Sequence, residues 1–146
     1  MWSAEEVLQY WFCNREDSAS TLRRRFSSMM LLASEGACEN WEKSPRGLLS
    51  LIVLLHFIQK AMFSQVALQS IYGRQVQRLC RKAVEASKDT MLSDFERAHI
   101  YVAMQSSPDS VVRADGQRRF DAIAPGLDPA QLKTLGRGGN EDSFTA

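Results

Sequence analysis

Trp41-Glu42-Lys43-Ser44-Pro45-Arg46-Gly47-Leu48-Leu49-Ser50-Leu51-Ile52-Val53-Leu54-Leu55-His56-Phe57-Ile58-Gln59-Lys60 is the stretch whose reading decides the fold. Ser44 followed by Pro45 is a helix start. The serine hydroxyl can accept from the unpaired amides of the first turn, and proline at the first helical position gives up no needed donor. From there to about residue 63 the side chains are apolar on almost every face. A helix of that kind has no side to turn to water, so it is expected as the buried centre of a bundle. No segment of four or more residues alternates with strand period, which makes the expected class all-α.

Reading outward from that centre, Ser3 and Glu6 form a capping box for a first helix over about residues 4 to 12, with Val7, Leu8, Trp11 and Phe12 at helical spacing. A polar turn over residues 14–18 leads to a second helix from Ser20, apolar at Leu22, Phe26, Met29, Met30 and Ala33 and closed by Gly36. After the central helix, a fourth over about residues 68 to 86 is read with Ile71, Gln75, Leu79, Cys80 and Ala83 inward. Ser93 with Glu96 caps a fifth that stops before Ser106-Ser107-Pro108, and Asp109 caps a sixth over about residues 110 to 123. About six helices in antiparallel hairpins, residues 1–124, thus form one domain. Residues 125–146, rich in Pro and Gly, are expected as a short helical turn near Asp128-Pro129 and a mobile tail from about Gly136.

Composition narrows the function classes. The chain has 146 residues, 45% of them hydrophobic, the size of one compact domain. A formal net charge of +1 supplies no global field for nucleic acid or an anionic membrane. The longest apolar run, residues 48–55, is interrupted only by Ser50 and falls far short of the ~20 residues that span a bilayer. Cys13, Cys38 and Cys80 are odd in number and widely spaced, which argues against a disulfide framework or structural zinc. With an acidic N-terminus and no signal-peptide pattern, the expectation is a cytoplasmic, reduced, soluble protein with no membrane partner and no cofactor.

Few residues carry chemistry. His56 and His99 each sit within a predicted helix among apolar neighbours, where a histidine is normally a hydrogen-bonded interior group. Cys13, beside Arg15 at the end of the first helix, is the best placed thiol, although an inert cysteine is the plainer reading. Arg23-Arg24-Arg25 and the stripe Arg74, Arg78, Arg81, Lys82 are the cationic clusters; nearby carboxylates dilute both, and each reads as a solvated helix face. Gly136-Arg137-Gly138-Gly139 lacks the strand and helix that frame a phosphate-binding loop. Trp11, Phe12, Phe26, Trp41 and Phe57 fall at core spacing, not as a platform for bases.

Val7-Leu8-Gln9-Tyr10-Trp11-Phe12, followed by Trp41, Pro45-Arg46-Gly47 and the Leu49-Leu51-Ile52-Leu54-Leu55 run, resembles an uncharacterised bacterial helical family, domain-of-unknown-function family nine-two-four. The resemblance covers about residues 5 to 123 and implies a tetratricopeptide-like fold. In that family the buried helix continues Asp-Gln-Phe-Pro-Arg-Asn-x-Phe-Arg, and a later helix ends His-Ser-Glu-Asp. Here these places read His56 to Ser64 and Gln105 to Asp109, so Lys60, Phe63 and Ser106 are what remains of the polar signature. The family's final helix, with its basic and histidine-containing motif, finds no counterpart in residues 128–146.

The resemblance therefore supports the scaffold and carries over no chemistry. The leading expectation is a non-enzymatic interaction or regulatory protein, its partner another protein or a second copy, held in a groove near Tyr101, Met104, Val112 and Phe120. The alternative is a small-ligand binder or enzyme with a pocket near His56, Lys60, His99 and Gln105. Nucleic-acid binding through the arginine-rich faces ranks third, with no metal or catalytic residue assigned.

Overall fold

A computed structural model describes residues 2–13, 17–63 and 71–136. The described residues are all-α, as the absence of strand alternation predicts. The helices are α1 (Ala4–Phe12), α2 (Ala19–Ser34), α3 (Pro45–Ile52), α4 (Gln59–Met62), α5 (Gly73–Glu85), α6 (Asp94–Met104), α7 (Ser110–Ile123) and α8 (Pro129–Gly136). Short 3-10 turns, Glu39–Lys43, Asp89–Met91 and Ala124–Gly126, join some of them.

The helix starts follow local chemistry. Ser3 Oγ accepts from the Glu6 amide at 3.1 Å while Glu6 Oε1 accepts from the Ser3 amide at 2.9 Å, and Ser93 with Glu96 repeats the pattern at 3.2 and 3.0 Å. Ser44 Oγ accepts from the Gly47 amide at 3.0 Å, and Asp109 Oδ1 from Val111 at 2.9 Å. At the other end of α2, Gly36 takes φ +87°. The Ala37 amide then reaches back to the Leu32 carbonyl at 3.0 Å. α5 ends by the same wrap with Ser87 in the glycine position, φ 56°, and the Lys88 amide on Ala83. Nothing in the residue type at 87 announces that stop.

The buried centre is where it was expected, but it is not one regular helix. Between α3 and α4 the backbone widens into a π-helical segment, Val53–Ile58, all six residues buried. α3 packs on α1, α5 and α6, and α4 on α2, so the central rod lies against four of the surrounding helices. α7 packs on α6, where Gly116 allows the approach: a Cβ there would stand 2.8 Å from Met104 Cβ and 2.9 Å from the Tyr101 carbonyl.

Two expectations are corrected. Ile71 is 59% exposed rather than inward, because α5 begins only at Gly73; Gln75, one turn on, is half-buried and donates across to the Ser34 carbonyl of α2 at 2.8 Å. The segment after Ala124 is more than one turn, since α8 spans eight residues and buries Leu135 completely against the bundle. Arg15, residues 68–70 and the tail from residue 137 lie outside the described residues.

Candidate functional site

The two histidines occupy the interior. His99, on α6, is fully buried, and its tautomer follows from its neighbours. Trp11 Nε1 can only donate, and it does so to His99 Nε2 at 2.9 Å, so Nδ1 carries the proton and donates to the Phe95 carbonyl at 2.9 Å. Phe12, Phe57 and Phe95 surround the ring, and burial depresses its pKa to about 4. His56 lies in the π segment, 4% exposed. The Phe57 ring stands between the two histidines, its centroid 4.8 Å from His56 and 4.9 Å from His99.

Of the other residues proposed for a ligand pocket, Lys60 lies one helical turn beyond His56 and is partly buried, which holds its ammonium below the usual lysine range. Gln105 lies six residues past His99, about 9 Å along a helix. It sits beyond the C-terminal end of α6, with its side-chain Nε2 buried and without a hydrogen-bond acceptor. His56 and His99 share an aromatic interior; Gln105 belongs to another part of the bundle.

Several charged groups are spent on links between elements. Glu42, nearly buried, accepts both ends of the Arg78 guanidinium at 2.9 and 3.1 Å and the Lys82 ammonium at 3.1 Å. The Arg78 hydrogen bond is the main reason its carboxyl lies below the usual range. Arg46 bonds Glu5 at 2.7 and 3.1 Å and also meets Glu96, linking the starts of α1, α3 and α6. Beneath it Gly47 is obligatory, since a Cβ would fall 1.8 Å from the Trp41 carbonyl oxygen. Two of the four cations on α5 are thereby committed to Glu42. In the other cluster, Arg23 donates to the Met62 carbonyl at 2.7 Å, and Arg25 approaches Asp17 at 3.8 Å and the Tyr10 ring.

An open cleft of about 410 Å³ lies between α5 and α7, across the end of α6. Gln77, Cys80, Arg81, Val84 and Glu85 form its α5 wall, Met104 and Ser107 its base, and Asp109, Val112 and Asp115 its α7 wall. Met104 and Val112 are thus brought to a groove. Tyr101 and Phe120 are core instead: Tyr101 donates to the buried Asp89 Oδ2 at 2.7 Å, with its phenol pKa pushed up to about 12, chiefly by burial. The α5 wall was not foreseen, although Gln77, Arg81 and Glu85 recur every four residues and share one helix face.

The thiols Cys38 and Cys80 are buried, and burial raises both pKa values. Among the described residues, no group of three or more His, Cys, Asp and Glu side chains could hold a metal ion. None of the described helices is long and apolar enough to cross a membrane.

No curated protein matches this chain. A solved structure of a protein of unknown function from Agrobacterium tumefaciens is similar in fold, with TM-score 0.65 and 16% identity over 97% of this chain and 95% of that chain. The likeness to family members also reaches further than the motifs alone suggest, running past residue 123 to take in α8. Matched over residues 1–135, the chain belongs to the family of bacterial proteins of unknown function called DUF924.

Proposed function

We propose that this protein is a non-enzymatic binding scaffold, an adaptor or regulator of the tetratricopeptide-like kind, that receives a partner protein in the cleft between α5 and α7. The observation that carries this reading is the contrast between that cleft and the buried rod. At the places where the family bears its polar signature, residues 56–59 are enclosed. His99 is held neutral and already engaged at both nitrogens. The cleft is open, with half-buried Val84 and Val112 on its two walls, buried Met104 at its base and charged groups along its edges, the apolar-centre and polar-edge arrangement of a protein interface. A photo-crosslinking residue placed at Val84 or Val112 in cells, with Ser28 on the exposed face of α2 as the control, tests it. Discrete protein adducts at both cleft positions and none at the control are expected. Labelling identical at all three positions sinks the reading.

The cleft volume also falls within the range of small-molecule sites, which favours a small-ligand binder as the second reading, seated here rather than between the histidines. A low-mass compound that copurifies with the protein and protects Val112 variants from crosslinking would promote it.

A further inference from the structure

We infer that Arg119 is an exchangeable tie: when Asp115 on the edge of the α5–α7 cleft no longer holds it, its guanidinium closes on the buried Asp89, so that the cleft edge is coupled to the connection between α5 and α6. The inference holds whatever occupies the cleft and does not rest on the scaffold reading. Asp89 opens the 3-10 turn that joins α5 to α6 and is buried. Its Oδ2 accepts from Tyr101 of α6 at 2.7 Å, and the same oxygen lies 3.7 Å from Arg119 Nη1 of α7. Three elements therefore meet at one carboxylate. Asp115, one turn before Arg119 on α7, lines the cleft and accepts from Arg119 Nε at 2.9 Å. Arg119 thus stands between two carboxylates and hydrogen-bonds the outer one.

The two carboxylates differ in what else they can use. The Asp115 side chain is 25% exposed and also meets Arg118 of the same helix, so water and a second guanidinium remain to it when Arg119 leaves. The Asp89 side chain is 2% exposed, and among the described residues Arg119 is the one cation within ion-pair distance of it. Arg97 of α6, whose charge also acts on Asp89, bonds Asp94 instead. A buried carboxylate gains more from a cation than an exposed one does, because solvent does not screen the pair. Arg119 stays with Asp115 because residues four apart on a helix face each other without any rearrangement. That preference is small, as it is for other partly exposed pairs of this spacing. Once it is removed, the flexible side chain is free to turn inward.

Asp115→Ala removes both the charge and the acceptor and leaves a good helix former in α7. In a crystal structure of that variant, Arg119 Nη1 is expected within hydrogen-bond distance of Asp89 Oδ2, about 2.9 Å. A double-mutant cycle in denaturant reads the same exchange in solution. Asp89→Asn should raise the unfolding equilibrium constant about tenfold more in the Asp115→Ala background than in the parent chain. Arg119→Gln removes the tie and should make the two substitutions additive. Where Asp89→Asn is too unstable to measure, the position of Arg119 in Asp115→Ala decides alone. Arg119 left at its parent distance from Asp89 in Asp115→Ala, or additive substitutions while Arg119 is present, overturns the inference.

Discussion

The junction of α1, α3 and α6 and the cleft between α5 and α7 use the same kinds of residue and end in opposite states. At the junction, Arg46 reaches Glu5 and Glu96, and Gly47 lies against the Trp41 carbonyl with no room for a Cβ. In the cleft, Arg81 and Glu85 sit one turn apart on α5 without pairing, and the floor between α5 and α7 is open. A charge on a helix is closed off only when a second element brings its counterpart within reach. At the junction three helix starts converge; at the cleft α5 and α7 each pack on α6, and a groove is left between them.

The strongest way to break this comparison is to put a charge into each region. Leu54 is fully buried in the π segment, so Leu54→Asp should unfold the domain, a loss of about 4 kcal/mol or more. Val112→Asp, half-exposed at the cleft, should cost about 1 kcal/mol or less. Thermal melts followed by circular dichroism measure both. Equal losses would mean that the cleft is sealed like the core.

Next in size is Gly47→Ala, which drives a methyl into backbone that cannot yield and should cost on the order of 3 kcal/mol in chemical denaturation. An alanine variant as stable as the parent would show that the loop carrying Trp41 is free to move, and the junction would lose its claim to be closed.

A finer distinction comes from acid. His99 has a folded pKa of about 4 against about 6.5 unfolded, so the unfolded chain binds the extra proton first. Its contribution is fully present above about pH 6.5 and is lost as pH falls towards about 4, up to on the order of 3 kcal/mol. Trp11→Phe removes the donor that favours the neutral imidazole. It should lower stability at neutral pH by about 1 to 2 kcal/mol and shallow the acid dependence, because the folded pKa rises. Denaturant titrations at several pH values read both quantities. An unchanged slope in Trp11→Phe would refute the assigned tautomer.

Within this chain, legibility follows the range of the interaction. The capping boxes Ser3/Glu6 and Ser93/Glu96, the Ser44-Pro45 start and the Asp109 cap were readable because each closes within a few residues. The same reasoning placed Ile71 inside α5 and missed the wrap at Ser87, because neither a delayed start nor a left-handed serine has a sequence sign. For the candidate site, Met104 and Val112 were readable as apolar residues at the end of α6 and the start of α7. The α5 wall was not, since which face of α5 meets the cleft depends on how the helix is rotated against α3 and α6.

Alone, the amino-acid sequence determined an all-α chain, its main helix starts and a central rod too apolar to face water, since these depend on local hydrogen bonds and on side chains that must leave solvent. Tertiary structure decided the rest. It widened the rod into a π segment at residues 53–58, joined Trp11 to a histidine 88 residues away, and set Arg46 between Glu5 and Glu96. It also left the α5–α7 cleft open. Those outcomes depend on contacts between residues far apart in the chain, whose geometry exists only once the helices have packed and the loop-closure entropy has been overcome.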